Sequence, residues 1–343
     1  RQMCIRDRYR DVTASMYPAI AQNEQRLWYE SQEENLAYYE NQAAEENEQA
    51  KQIIAENEKA VTEQPVQQES QNVDETPTQK ESKKPEKKTE TSGKKVSVNR
   101  KKLQDFDYLR QTFYQVDNTT TIGKNQLDVD KLMKPDLRID QSVDGPQILI
   151  YHTHSQERYA DSKDEKTGVV GVGDYLTELL EEEGFQVMHH KGEYDVGDRD
   201  HAYSKAAPSI QKIINDNPSI QVVIDLHRDG VGENTRLVTT QNGKKMAKIM
   251  FFNGLSRTTA SGDIPYLKNP YISDNLAFSF QMQLAAAEYY PDFTRRIYLK
   301  GYRFNMHFCP KSMLVEVGAQ TNTFEEAKNA MEPLADLFAK VLK

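Results

Sequence analysis

The hydrophobic pattern of the chain becomes regular near residue 147 and from there alternates between two kinds of segment. Short apolar runs with little polar alternation are typical of strands buried on both faces of a sheet. Between them lie longer stretches with apolar residues at helical spacing, the first ended by Gly184. Strands are predicted at 119–123, 147–154, 185–190, 220–230, 248–254 and 312–320, and helices at 171–185, 206–219, 274–291 and 323–343. This alternation predicts an α/β fold, with a mainly parallel twisted sheet covered by helices on both faces.

The N-terminal part of the chain carries much weaker apolar patterning. Residues 17–61 are rich in Glu, Gln, Asn and Ala, and their apolar residues recur at loosely helical intervals. That pattern predicts a solvated amphipathic helix or, alternatively, a partner-binding coiled coil. Residues 62–100 contain no aromatic residue and are mostly polar or charged, so they cannot bury enough surface to become ordered. We therefore predict a polar helical segment at 1–61, a disordered charged linker at 62–100, a lead-in segment at 101–146 and a folded α/β domain at 147–343.

Composition narrows the class of protein. The chain has 343 residues, a formal net charge of −9 and a mean hydropathy of −0.81, which is polar for one globule of this length. The acidic balance gives no support for nucleic-acid binding. Cys4 and Cys309 form neither a disulfide framework nor a zinc-knuckle spacing. No apolar run reaches the roughly 18 residues of a membrane span. Because the chain begins at Arg1, we expect an upstream signal or anchor segment to be missing.

Residues suited to metal binding or proton transfer stand where predicted strands end. In open parallel sheets, ligands bind beyond the carboxyl ends of the strands. Because side chains alternate along a strand, His152 and His154 are expected on one face, and so are Asp225 and His227. Glu316 interrupts an apolar strand, and a buried carboxylate is costly unless it faces a partner or a site. The complete set is His152, His154, Glu157, Asp225, His227, Arg228, Asp229 and Glu316.

This set of side chains is typical of zinc-dependent hydrolysis. A catalytic zinc ion takes three protein ligands of the histidine or carboxylate type and keeps one position for water. His154, Glu157 and His227 are candidate ligands, and Glu316 is a candidate base for the proton of that water. Each residue also has a structural interpretation: the histidines as hydrogen-bonded strand ends, and Glu316 as a carboxylate paired with Arg303. The convergence of all these residues on strand ends of one sheet favours the metal site.

Several of these stretches resemble a known family. ILIYHTHSQERY at 148–159, VVIDLHRDG at 222–230 and the segment 313–342 resemble the stage II sporulation protein P family, cell-wall hydrolases of endospore-forming Firmicutes. FDYLRQTFYQVDNTTTI at 106–122 is similar to the segment that leads into that family's catalytic domain, and the resemblance covers residues 96–343. More distantly, the strand around Glu316 and the closing helix are similar to zinc-dependent N-acetylmuramoyl-L-alanine amidases of the third type.

The resemblance implies roles for individual residues. His154 and His227 match the two histidine ligands of those amidases, and Glu316 matches their catalytic base. The third ligand is where the sequence departs, because the amidases carry a glutamate near the start of the first helix and this chain has only Asp174 there. Candidate replacements are Glu157 first, then His152, then Asp174.

The resemblance also implies an activity for the 147–343 domain. The amidases cut the amide between the lactyl group of muramic acid and L-alanine in peptidoglycan, with Zn²⁺ as cofactor. Arg228 is expected to steady the oxyanion or a substrate carboxylate, or else to form a salt bridge with Asp225 or Asp229. An endopeptidase acting on stem-peptide cross-links, a deacetylase and a non-catalytic wall-binding module stay open as alternatives.

A location and partners follow from the same resemblance. The family acts outside the cytoplasmic membrane at the sporulation septum and forespore membrane during engulfment. We expect an N-terminal membrane anchor that is absent from this chain. The expected partners are peptidoglycan, a lytic transglycosylase of the sporulation D type and a membrane protein of the sporulation M type, with no nucleic acid.

Overall fold

One large sheet organises residues 98–343, the part of the chain that this computed structural model describes. The predicted segment at 1–61 and residues 62–97 of the predicted linker at 62–100 lie outside the described residues. The strands are β1 (Tyr114–Val116), β2 (Ile148–Tyr151), β3 (Val187–His189), β4 (Val222–Asp229), β5 (Val238–Gln241), β6 (Lys244–Ala247), β7 (Ile249–Gly254), β8 (Arg257–Thr258), β9 (Gly262–Asp263), β10 (Ile297–Lys300) and β11 (Ser312–Ala319). The helices are α1 (Arg100–Leu103), α2 (Phe106–Phe113), α3 (Val129–Met133), α4 (Val169–Glu182), α5 (Ala202–Asp216), α6 (Ile272–Tyr289), α7 (Phe324–Asn329) and α8 (Met331–Leu342).

The seven strands of the large sheet are arranged in the order β1-β10-β7-β11-β4-β2-β3. Every neighbouring pair is parallel except β11 and β7, which are antiparallel. Consequently β3, β2, β4 and β11 run in one direction, and β7, β10 and β1 run in the other. The predicted α/β fold with a mainly parallel sheet is confirmed. The carboxyl ends of β2, β4 and β11 share one edge of the sheet, where ligands are expected.

Both faces of the sheet are covered, but by different kinds of element. Apolar residues of β2, β4, β7 and β11 pack on one face against α4, α6 and α8 in the main core. On the other face, Leu149, Tyr151 and Val223 pack against α5 and against Phe308 and Cys309 of the loop before β11. This second face therefore has one helix and a loop. It is also the face that carries the candidate site.

The lead-in segment belongs to the same core as the rest of the sheet. Leu103, Leu109, Phe113 and Leu132 are all buried in the main cluster. β1 pairs with β10 and forms one edge of the sheet, and α3 lies against α6. Among the described residues, none of the helices combines the length and the apolarity needed to cross a membrane.

Some predicted elements differ from the observed ones. Residues 119–123 form no strand, because the strand precedes them as β1 and directly follows α2. The closing helix at 323–343 is divided at Ala330 into α7 and α8. Pro333 accounts for the division, because its ring would clash with a carbonyl one turn earlier in a continuous helix but is tolerated in a first turn. The hairpin β5–β6 was not predicted, although Asn242 and Gly243 both have positive φ, as a type I′ hairpin turn requires.

Candidate metal centre

The register of the sheet places two of the candidate residues side by side. β4 and β11 are parallel, and His227 is the Cα partner of Glu316. Partners in register share a face, so both side chains project from the face that α5 covers. β2 pairs with β4 through Tyr151 and Asp225, which brings the end of β2 to the same edge. The chain then continues past β2 toward His154.

A turn after β2 returns Glu157 to the histidines. The backbone N–H of Glu157 donates to the carbonyl oxygen of His154 at 3.4 Å, so the chain reverses directly after the strand. One carboxylate oxygen, Oε1, lies 3.6 Å from His154 Nδ1, and the other, Oε2, lies 3.5 Å from His227 Nδ1. One ligand atom from each of these three residues lies within 4.8 Å of the others. No other group of three or more candidate ligands occurs among the described residues.

The three residues shift one another's pKa values. Burial alone would raise the pKa of Glu157, but contacts with His154 and His227 hold that pKa well below its usual range. Burial likewise acts to lower the pKa of His227, yet Asp225 and Glu157 raise it well above its ordinary value. The pKa of His154 is lowered, mainly by burial. A carboxylate between two imidazoles is a donor set that suits zinc, so the residues present fit that metal.

The carboxylate of Asp225 lies next to the His227 ring. Its Oδ1 lies 2.7 Å from His227 Nε2, an ion-pair distance without hydrogen-bond geometry, and Nε2 makes no hydrogen bond. Thr153 fixes this carboxylate through its backbone N–H at 2.8 Å and its hydroxyl at 2.6 Å. Burial raises the pKa of Asp225, but the charge of His227 and the Thr153 hydrogen bonds bring it below the ordinary value. Carboxylates in this position orient metal-binding histidines.

Glu316 stands beside the three candidate ligands with one unpaired oxygen. Its Oε2 is buried and has no hydrogen-bond partner. Burial, together with the negative charge of Asp229, raises the pKa of Glu316 to about 8. Arg303, the structural partner considered from sequence, donates instead to the carbonyl oxygen of Lys268 at 3.3 Å.

Arg228 contacts the cluster through its backbone. Its N–H donates to Glu157 Oε2 at 2.9 Å. Its guanidinium donates to the carbonyl oxygens of Arg158 and Asp229 at 3.0 Å and 3.1 Å. Within the described residues, it forms a salt bridge with neither Asp225 nor Asp229; the Asp229 carboxylate forms its salt bridge with Arg295.

The two competing ligands lie apart from this cluster. His152 Nδ1 is 2.7 Å from the carbonyl oxygen of Leu226, and its Nε2 is 2.8 Å from His189 Nε2. His189 Nδ1 in turn lies 2.9 Å from Asp174 Oδ1. The expectation that His152 and His154 share a face was wrong, because β2 ends at Tyr151 and the alternation of a strand does not continue into the turn.

Sequence reasoning missed three residues that contact the cluster or the turn that carries it. Tyr203, in α5, stacks on His227 with ring centroids 6.4 Å apart, and its edge meets His154 at 5.6 Å. Arg199 donates to Glu157, and Asp195 accepts from the turn after β2. All three come from 195–203, where the sequence shows no strand end or paired motif that would single them out.

Several of the solved structures similar to this one are amidases. The CwlD amidase from Clostridioides difficile, solved with the GerS lipoprotein, is 12% identical, covers 57% of this chain and 99% of its own, and gives a TM-score of 0.35. The catalytic domain of CwlV, an N-acetylmuramoyl-L-alanine amidase from Bacillus (Paenibacillus) polymyxa var. colistinus, is 12% identical over 56% of this chain and 93% of its own, with a TM-score of 0.33. Cwp6 from Clostridium difficile is 11% identical over 58% of this chain and 30% of its own, with a TM-score of 0.35. At these identities and scores the similarity carries no conclusion about activity.

The sequence comparisons are more decisive. Stage II sporulation protein P of Bacillus subtilis (strain 168) is 23% identical over 245 residues, which cover 65% of this chain. The match spans 58% of the length of that relative. The model of the stage II sporulation protein P family matches residues 19–339, nearly the whole sequence. This chain therefore belongs to the stage II sporulation protein P family.

Proposed function

We propose that the chain is a zinc-dependent peptidoglycan hydrolase that cleaves the N-acetylmuramoyl-L-alanine amide during remodelling of the sporulation septal wall. The observation that carries the proposal is one constellation: His154, Glu157 and His227 within 4.8 Å of one another, with Glu316 and its unpaired oxygen beside them. Membership of the stage II sporulation protein P family supports a role in sporulation.

In the proposed reaction, three residues bind the metal and a fourth transfers protons. A zinc ion held by His154, Glu157 and His227 would supply a Lewis acid and a water of lowered pKa. Glu316 would accept a proton from the attacking water, through the oxygen that has no other partner, as the water oxygen bonds to the amide carbon. It would give that proton to the L-alanine nitrogen as the C–N bond breaks. Burial raises the pKa of Glu316, which favours its holding the proton between the two steps.

Neighbouring residues hold this arrangement in place. The Asp225 carboxylate pairs with the His227 ring at Nε2, and Tyr203 covers that ring from the α5 side. Arg228 acts on the site through the N–H that holds Glu157 Oε2. A role for its guanidinium toward an oxyanion or a substrate carboxylate requires it to leave the carbonyl oxygens of Arg158 and Asp229.

We also propose the setting that family membership suggests. The chain would act outside the cytoplasmic membrane, held at the septum and forespore membrane by an N-terminal anchor. It would act on peptidoglycan together with a lytic transglycosylase of the sporulation D type and a membrane protein of the sporulation M type.

The test combines zinc content with product analysis. The full chain and its variants are assayed for bound zinc and for cleavage of purified muropeptides, with products identified by mass spectrometry. We expect His154→Ala, Glu157→Ala and His227→Ala to lose zinc. Glu316→Gln should keep zinc and lose about 10²–10⁴-fold in rate, as removal of an acid–base group does.

Controls separate the competing ligands and reactions. Asp174→Asn and His152→Gln should keep zinc, since both side chains lie outside the cluster. Intact stem peptide released from muramic acid supports the amidase. Cleaved cross-links with the muramoyl amide intact would instead show an endopeptidase, and released acetate a deacetylase. A parent chain without zinc and without cleavage would show a wall-binding module.

A further inference from the structure

A loop between β3 and α5 contacts Glu157, one of the buried candidate metal ligands. Arg199 Nη2 donates to Glu157 Oε1 at 2.7 Å. The Arg199 side chain is 52% exposed, whereas that of Glu157 is 3% exposed. An arginine therefore reaches from the surface to a carboxylate that burial would otherwise make costly to ionise.

Asp195 ties this loop to the turn that carries His154 and Glu157. Its Oδ1 accepts from the hydroxyl of Ser155 at 3.0 Å, and its Oδ2 accepts from the backbone N–H of Gln156 at 3.1 Å. Oδ2 also lies 3.8 Å from Arg199 Nη1. One buried carboxylate thus fixes both the backbone of the turn and the arginine that approaches Glu157.

Each of the two carboxylate oxygens of Glu157 accepts one hydrogen bond and faces one histidine. Oε1 accepts from Arg199 and faces His154, while Oε2 accepts from the backbone N–H of Arg228 and faces His227. An ionised carboxyl group offers about four lone-pair sites. One donor on each oxygen leaves sites toward the imidazoles, and together the two donors fix the rotation of the carboxylate.

We propose that Arg199, oriented by Asp195, is a positioning residue that holds Glu157 in the orientation required to bind a metal with His154 and His227. The inference rests on the proposed metal centre. A rotated Glu157 would turn an oxygen away from one histidine, and the ligand set would lose its third member. Arg199 therefore strengthens metal binding although it brings a positive charge close to the site.

The test measures zinc affinity directly, without an activity assay. The full chain is stripped of metal, and zinc is titrated in competition with a chromophoric chelator. Arg199→Ala should raise the zinc dissociation constant about 10–100-fold, as loss of a partner of a metal ligand does. Arg199→Lys should give an intermediate value, because an ammonium keeps the charge but not the rigid fork of a guanidinium.

Arg236 offers a matched control. Its side chain is 47% exposed and pairs with Glu326, whose side chain is 8% exposed, so its surroundings resemble those of Arg199 and Glu157. Neither residue belongs to the cluster. Arg236→Ala should leave the zinc dissociation constant unchanged, while urea unfolding of the metal-free chain reports the loss of each ion pair.

The outcomes distinguish this inference from the proposed function. A parent that binds zinc and an Arg199→Ala variant that binds it equally well or more tightly would overturn the positioning role and leave the metal centre standing. Equal weakening in Arg236→Ala would show a general loss of stability and would also overturn it. A parent that binds no zinc would overturn the metal centre and this inference together. Weaker zinc binding in the Arg199 variants but not in Arg236→Ala supports the positioning role of Arg199.

Discussion

Two histidines separated by one residue have different surroundings in this molecule. His154 faces Glu157 and His227, whereas His152 is fully buried against Leu226 and His189. Because His152 Nδ1 faces a carbonyl oxygen, that nitrogen carries the proton, and Nε2 is left for His189. The His152 and His189 rings pack closely against Gly173 of α4. A Cβ at Gly173 would lie 2.9 Å from His152 Nε2 and 2.8 Å from His189 Nε2. Gly173 is therefore the residue that lets α4 approach the two rings.

Gly173→Ala tests this packing. Alanine in a helix is normally better than glycine by about 0.5–1 kcal/mol. Here we expect the opposite, a decrease of about 1–3 kcal/mol in the free energy of unfolding, because the buried rings must shift. Urea unfolding of the metal-free parent and variant measures this change in the free energy of unfolding. Gly123→Ala is the control, since a Cβ there meets nothing within 4 Å. A more stable Gly173→Ala variant would contradict the expectation.

Among the secondary-structure elements, α7 begins with a capping box whose glutamate also bonds to residues outside the helix. Thr323 and Glu326 form a reciprocal capping box, in which each side chain accepts from the other residue's backbone N–H. Glu326 also accepts from Asn322 at 3.0 Å and from Arg236 at 2.7 Å. Burial alone would raise the pKa of Glu326, but these hydrogen bonds and nearby cations lower it below the ordinary value of 4.5. The charged form is therefore the one that the fold stabilises.

Glu326→Gln should make the protein less stable in a pH-dependent way. A carboxyl group whose pKa is depressed on folding contributes stability above its unfolded pKa, and that contribution is lost as pH falls through the folded pKa. At pH 7 we expect a loss of about 1.5–3 kcal/mol in the free energy of unfolding, the range for hydrogen bonds to a charged group. The difference between parent and variant should shrink as the pH falls below 4.5.

Urea unfolding at pH 7 and in acid measures the effect. Glu325→Gln is the matched control, because its side chain is exposed in the same turn of α7. A difference that stays constant down to strongly acid pH would show that Glu326 acts without its charge.

At the scale of the whole molecule, the lead-in segment is part of the fold. Leu103, Leu109, Phe113 and Leu132 lie in the main core, and β1 extends the sheet beyond β10. The backbone N–H of Ile139 donates to the carbonyl oxygen of Leu342, which joins this segment to the end of α8. Each fully buried large apolar side chain contributes about 1.5–3 kcal/mol. Several such residues together match the roughly 5–15 kcal/mol by which a domain is stable.

A chain that begins at residue 147 should consequently fail to fold. We expect a chain spanning 98–343 to unfold cooperatively in urea, and one spanning 147–343 to show no cooperative transition and to aggregate. Circular dichroism through a urea titration compares the two. Equal transition midpoints would show that the lead-in segment is dispensable to the fold.

The class of fold and the family could be predicted from the amino-acid sequence. Continuous apolar runs such as those of β2 and β4 indicate strands buried on both faces, and this signal is local, so it survives without the tertiary structure. Motifs around His154, His227 and Glu316 were sufficient to suggest the stage II sporulation protein P family, which the family model confirms. The Asn242–Gly243 turn carried a similarly local signal for a hairpin that the strand pattern alone did not predict.

Which side chains contact one another could not be predicted before the three-dimensional arrangement was known. His152, Glu157 and Asp174 were all candidates for a third ligand, and the end of β2 at Tyr151 together with the turn that follows brought Glu157 alone between His154 and His227. Arg199 and Asp195 had no pattern to mark them, because their importance comes from contacts across a loop. Apolar periodicity records whether a residue is buried. It does not record which distant side chain stands opposite, since that depends on register, turn geometry and packing over the whole sheet.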